Sequence, residues 1–163
     1  MTTNLKKSWD ELTDLIDKSG SILLSTHFNP DGDGLGSEIG FYYHLKNIGK
    51  ECRIINISQM PEIYDCIDPD GIIETYSANH DEWLNKVDVT ILFDIGDYKR
   101  INEIYPQIKE SKIVLFDHHP IQKDNPYSVI VLDLGSPATG YMAWKDLQYI
   151  STDEFELDVI SAN

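Results

Sequence analysis

The sequence predicts a doubly wound α/β domain with a largely parallel, five-stranded sheet and helices on both faces. Two observations lead to this fold class. Five short apolar runs alternate along the chain with segments of helical periodicity, the pattern of strands joined by crossover helices. All but the second of these runs end in a potential ligand residue, and ligands of an open parallel sheet bind outside the carboxyl ends of its strands.

Each element has its own warrant. Residues 4–18, NLKKSWDELTDLIDK, set Leu5, Trp9, Leu12 and Ile16 at helical spacing, and Ser19-Gly20 stops the helix. Residues 21–26, SILLST, form a short apolar run of the buried-strand type. From Leu35 to about Ile48 the pattern is helical again and closes at Gly49, a good C-cap residue. Further strands are expected at 51–57, 89–93, 112–116 and 128–132, with helix-like pieces around 80–87, 97–110 and 137–149. Residues 154–163, EFELDVISAN, place Phe155, Leu157 and Ile160 in a helix-compatible pattern that stops without a cap. This suggests a fragment.

At 163 residues the chain fits one domain with its own core. Charge is the unusual feature: 28 acidic against 13 basic residues give a net charge of -15, which opposes a broad grip on a nucleic-acid backbone. A long nucleic acid is therefore not an expected partner. Carboxylates crowded together repel unless they are protonated or hold cations, although a solvated acidic surface accounts for most of the Asp and Glu. There is no apolar leader and no stretch near the ~20 apolar residues of a membrane span, so a cytoplasmic protein without a membrane partner is expected. Cys52 and Cys66 form neither a disulfide framework nor a zinc-type pair and read as buried free thiols. A homodimer is compatible with the sequence.

The chemistry concentrates after the strands. Strand one runs into His27-Phe28-Asn29-Pro30-Asp31-Gly32-Asp33-Gly34, an imidazole and two carboxylates within seven residues. Asp31 and Asp33 are separated by one glycine, so they can serve neighbouring positions without sharing an ion, as a two-metal site requires. Asp94 ends the third run, Asp117 with His118 and His119 the fourth, and Asp133 the fifth. An Asp after a strand is also a common turn former or helix N-cap, and for Asp133 the two readings are evenly balanced. DGDG alone could be a tight turn or a calcium loop, but the later Glu of such a loop is missing. His44 and His80 read as surface or packing residues, and Trp9, Trp83 and Trp144 as core. Gly32, Gly34 and Gly36 permit close backbone approach, and the helix starting near Leu35 would point its positive end at an anion.

Taken together, HFNPDGDGLGS after the first apolar strand, FDIGD after the third and FDHHP after the fourth resemble, in order and spacing, the first three motifs of the DHH phosphoesterases. The resemblance covers the chain from about Ser21 to its end. LFDIGDYKRI and GSPATGY look most like the branch that degrades very short RNAs, dephosphorylates 3'-phosphoadenosine 5'-phosphate or cleaves cyclic-dinucleotide products. It implies that His27 and Asp31 bind one metal, that Asp33 and His118 bind another, and that Asp94 bridges the pair. Two divalent ions, manganese by the family's preference, would activate water. The resemblance makes Asp117 a carboxylate that orients a histidine and gives His119 a phosphate contact. It also implies a fourth-motif aspartate and a substrate-binding domain beyond Asn163; Asp158 does not match that motif.

Lys99, Arg100, Ser136 and Thr139 are the nearest groups by sequence to receive phosphate or ribose; Arg100 suits an anion best through its planar fork, and for Lys99 a solvent-exposed role competes at least evenly. N-capping competes evenly with substrate contact for Ser136 and Thr139. The expected substrate is a small nucleotide or short oligonucleotide. The alternatives are an inorganic pyrophosphatase or polyphosphatase that shares these motifs, and a metal- or nucleotide-binding module without turnover.

Overall fold

The computed structural model describes residues 3–150, so the segment 154–163 read above as an interrupted helix lies outside the described residues. The principal elements are α1 (Thr3–Lys18), β1 (Ser21–Thr26), α2 (Gly32–Asn47), β2 (Glu51–Asn56), β3 (Ile73–Thr75), α3 (Asp81–Leu84), β4 (Val89–Phe93), β5 (Lys112–Asp117), β6 (Val129–Leu132) and α4 (Thr139–Ile150). The strands form one sheet in the order β3-β2-β1-β4-β5-β6, and every pairing is parallel. The strands are added outward in one direction from β1 to β3 and in the other from β4 to β6, and this switch in strand order opens a crevice at the carboxyl ends of β1 and β4.

Alternation along each strand builds two cores. Ile22, Leu24, Ile91, Phe93, Val114, Phe116 and Val131 pack on one face with Trp9, Leu12 and Ile16 of α1, Phe41 and Leu45 of α2, and Met142 and Leu147 of α4. Leu23, Ile55, Leu92, Ile113 and Leu115 face the other way, against Leu84, Ile101, Ile104 and Ile108. Fully burying a side chain of this size contributes about 1.5–3 kcal/mol, so the two layers hold the strand ends in fixed positions.

The structure corrects the sequence reading in several places. The sheet has six strands, not five: β3 is a three-residue edge strand, half-buried or exposed along its length, and so lacks the apolar run that marks a buried strand. Helix α2 begins at Gly32 rather than near Leu35, because the Asp31 carboxylate accepts from the amides of Asp33 and Gly34 and caps it. The segment 97–110 is 3-10 helix over Tyr98–Gln107, broken at Asn102. Cys52 is buried, but Cys66 is exposed on a 3-10 turn, Glu62–Ile67, that buries no side chain. Among the tryptophans, Trp9 is in the core, Trp83 is partly buried against the second core under the Arg53 guanidinium, and Trp144 stacks on Tyr141. His44 is buried.

A polar pillar stands behind the end of β1. Asn56, at the end of β2, accepts the Thr26 amide at 2.9 Å and donates to Glu38 Oε2 at 2.9 Å. Burial raises the Glu38 carboxyl to about 8, so it is largely neutral at pH 7. No helix among the described residues is long and apolar enough to cross a membrane.

Candidate metal centre

Parallel register explains why the candidate ligands converge. Thr26 pairs with Phe93, and Phe93 with Phe116, so the next residues, His27, Asp94 and Asp117, lie in one row across three neighbouring strands about 4.8 Å apart. The Thr26 hydroxyl donates to the Phe93 carbonyl at 2.8 Å and ties β1 to β4 just below this row. Asp94 has φ 52, a left-handed conformation uncommon for a residue with a side chain. Its amide still bonds the Phe116 carbonyl at 3.1 Å.

Asp94 is the hub of the cluster. Its Oδ2 lies 4.0 Å from His27 Nε2, while Oδ1 lies 3.6 Å from His118 Nε2 and 3.1 Å from His119 Nδ1. Asp31 Oδ2 is 3.9 Å from His27 Nε2, and Asp33 Oδ2 is 3.6 Å from His118 Nε2. The two carboxylate oxygens of Asp94 thus face two separate sets of donors. Burial, together with the negative charges of Asp33 and Asp117, raises the Asp94 carboxyl above its ordinary value. A crowded, desolvated carboxylate of this kind calls for a cation.

Backbone carbonyls orient both inner histidines. His27 Nδ1 lies 2.8 Å from the Phe28 carbonyl and His118 Nδ1 lies 3.1 Å from the Ser136 carbonyl. A carbonyl only accepts, so each Nδ1 is placed to donate to it, and each Nε2 is the ring nitrogen turned toward the carboxylates. His, Asp and their separations suit a first-row divalent ion; both His27, Asp31, Asp94 and Asp94, His118, His119 are close enough to hold one.

The surrounding residues fall into place around this hub. Asp117 is fully buried and accepts from Gly96 N at 2.6 Å and His119 N at 2.8 Å, with its Oδ1 3.0 Å from His119 Nδ1. The His119 side chain is about half exposed, open to an incoming group. Arg100 donates Nη1 to the Ile95 carbonyl at 3.2 Å, and its own carbonyl accepts the Phe28 amide at 3.3 Å, so it borders the cluster. The Ser136 hydroxyl donates to the Ala138 carbonyl at 2.9 Å. Thr139 is fully buried and its hydroxyl donates to Asp94 Oδ1 at 3.1 Å. Asp133 accepts the Gly135 amide at 3.0 Å and forms a turn.

Sequence reasoning missed the groups that hold these side chains. The carbonyls of Phe28 and Ser136 and the amides of Thr139 and Gly140 are backbone atoms that leave no residue-type signal. A cavity of about 440 Å³ lined by Leu15, Asn85, Lys86 and Lys112 lies at the opposite, amino-terminal end of the strands and contains none of the candidate residues.

Comparison with known proteins follows the same lines. A family model described as DHH family, N-terminal domain, matches residues 21–161. A curated relative, the bifunctional oligoribonuclease and PAP phosphatase NrnA of Thermus thermophilus, is 53% identical over 32 residues, which is 20% of this chain and 10% of that protein. Among solved structures, an exopolyphosphatase-related protein from Bacteroides fragilis superposes with a TM-score of 0.82 at 20% identity, over 90% of this chain and 44% of that one. RecJ from Thermus thermophilus in complex with Mn²⁺ gives 0.54 at 17% identity, over 89% of this chain and 20% of that one. At such identities the likeness is one of fold. The chain spans less than half the length of each of these proteins.

Proposed function

The chain belongs to the DHH family, whose N-terminal domain it matches over residues 21–161, and from that premise we propose that it is the metal-binding part of a phosphoesterase acting on small nucleotides or short oligonucleotides. The observation that carries the reading is the division of Asp94: one oxygen faces His27, the other His118 and His119. His27, Asp31 and Asp94 would hold one divalent ion, and Asp33, Asp94 and His118 a second. When bound, such a pair supplies Lewis-acid charge and a water acidic enough to act as a nucleophile near neutral pH.

The chain's own residues would do the rest. His119, turned by Asp117, would donate to a phosphoryl oxygen and steady the charge that develops there. Arg100 would receive a further anionic oxygen through its planar fork, and Ser136 borders the same edge. The net charge of -15 favours a few nucleotides over a long strand, since each added phosphate is repelled. The oligoribonuclease and PAP phosphatase activities named for the Thermus relative and the manganese of the RecJ structures support this substrate class and this metal.

The exopolyphosphatase-related neighbour motivates a second reading, turnover of pyrophosphate or polyphosphate at the same site. Assaying dinucleotides, 3'-phosphoadenosine 5'-phosphate and pyrophosphate side by side with Mn²⁺ separates the two. Hydrolysis of the nucleotides, lost in Asp94→Asn, is the expected result. Pyrophosphate as the preferred substrate overturns the nucleotide reading, and inertness toward all three favours a binding module.

A further inference from the structure

The amino terminus of α4 reaches three of the five candidate ligands. Asp33 accepts the Thr139 amide through Oδ2 at 2.9 Å and the Gly140 amide through Oδ1 at 2.7 Å. The Thr139 hydroxyl donates to Asp94 Oδ1 at 3.1 Å, and the Ser136 carbonyl lies 3.1 Å from His118 Nδ1. Residues 136–140, SPATG, therefore touch Asp33, Asp94 and His118, the set assigned above to the second ion. His27 and Asp31 are held instead by the Phe28 carbonyl and by the first turn of α2. The two halves of the centre thus have different supports.

We propose that Thr139 is a positioning residue for the metal centre and that the 136–140 segment selectively sets the affinity of the position formed by Asp33, Asp94 and His118. The inference rests on the two-ion reading given above. Three features carry it. Thr139 is fully buried, which removes it from direct contact with a substrate and commits its hydroxyl to Asp94. A side chain at position 140 would lie 3.2 Å from Asp33 Oδ1, closer than an ordinary van der Waals contact, so glycine allows the Asp33 carboxylate its approach to two amides. Those amides are the otherwise unpaired donors of a helix start, and their two hydrogen bonds fix the direction in which the Asp33 carboxylate points.

Coupling of this kind is reciprocal: if α4 aims the carboxylates, an ion on them must in turn fasten α4. The consequence is an asymmetric centre. One position is set locally within the motif after β1, while the other depends on a helix start more than a hundred residues further along the chain.

The test counts and ranks Mn²⁺ binding to the chain by titration calorimetry and electron paramagnetic resonance, with no turnover needed. Wild-type protein is expected to bind two ions. Thr139→Val, which keeps the shape and removes the hydroxyl, is expected to weaken one of the two by about 10–100-fold, the usual effect of losing a group that orients a ligand. Thr139→Ser should restore it. Hydrogen exchange gives an independent readout: Mn²⁺ should slow the amides of Thr139 and Gly140, and less so in Gly140→Ala. Two ions bound by Thr139→Val with wild-type affinities overturn the inference and leave the two-ion reading standing. Wild-type protein that binds no Mn²⁺ overturns both. Should Thr139→Val fail to fold, Gly140→Ala must weaken the same single binding event, or the inference is wrong.

Discussion

Asp117 holds His119 at two points: its Oδ1 accepts the His119 amide at 2.8 Å and lies 3.0 Å from the ring Nδ1. The other oxygen accepts the Gly96 amide at 2.6 Å, so both oxygens are committed as acceptors in a fully buried site. Asp117→Asn would turn one of them into a donor facing an N–H group. Turnover is expected to fall by roughly 10²-fold as His119 loses its orientation, with a stability loss of about 1–3 kcal/mol from the mispaired group. Mn²⁺ stoichiometry should be unchanged. Steady-state kinetics beside metal titration checks this, and unaltered turnover would remove His119 from its assigned part.

Two buried acids make the fold sensitive to alkali. Burial raises Glu38 from an ordinary 4.5 to about 8 and Asp146 from 3.8 to about 8. A carboxyl with a raised folded value keeps its proton in the native state where the unfolded chain has lost it, so stability is full below the unfolded value and falls as pH rises toward 8. The metal-free chain should therefore unfold at lower temperature at pH 8 than at pH 5.5. Glu38→Gln and Asp146→Asn should each flatten that slope, by on the order of a few kcal/mol. Thermal unfolding across this pH range measures it, and a slope unchanged in both variants refutes the assignment.

Gly34 is required by contact. A Cβ there would collide with the Thr26 hydroxyl oxygen, the atom that ties β1 to β4. Gly34→Ala should cost about 1–3 kcal/mol by overpacking and displace the first turn of α2. Denaturant titration together with Mn²⁺ affinity would record both effects.

Asn102 sits at φ 46, ψ -114, a region that glycine enters without steric cost. Asn102→Gly should relieve backbone strain and raise stability by about 1 kcal/mol, equivalent to a few degrees in Tm. A lowered Tm would mean that the Asn102 side chain makes a compensating contact.

Much of this architecture is legible in the sequence because strands buried on both faces read as continuous apolar runs. β1, β4 and β5 coincide nearly to the residue with such runs, and the row formed by His27, Asp94 and Asp117 follows directly from their ends. What escaped was what residue type does not encode. β3 has a single apolar residue in three. The glycines at 32, 34 and 36 disguise the first turn of α2, which only the Asp31 cap reveals. Glu38 occupies an ordinary-looking polar position within a helix, although packing buries it completely. The hold of α4 on Asp33 joins residues 106 and 107 positions apart, and no local pattern announces a pairing of that span.

The most direct test of the central claim is anomalous diffraction from crystals soaked in Mn²⁺. Two peaks about 3.5–4 Å apart are expected, one among His27, Asp31 and Asp94 and the other among Asp33, Asp94 and His118. No peak at these side chains, or a single ion bound away from Asp94, would contradict the account.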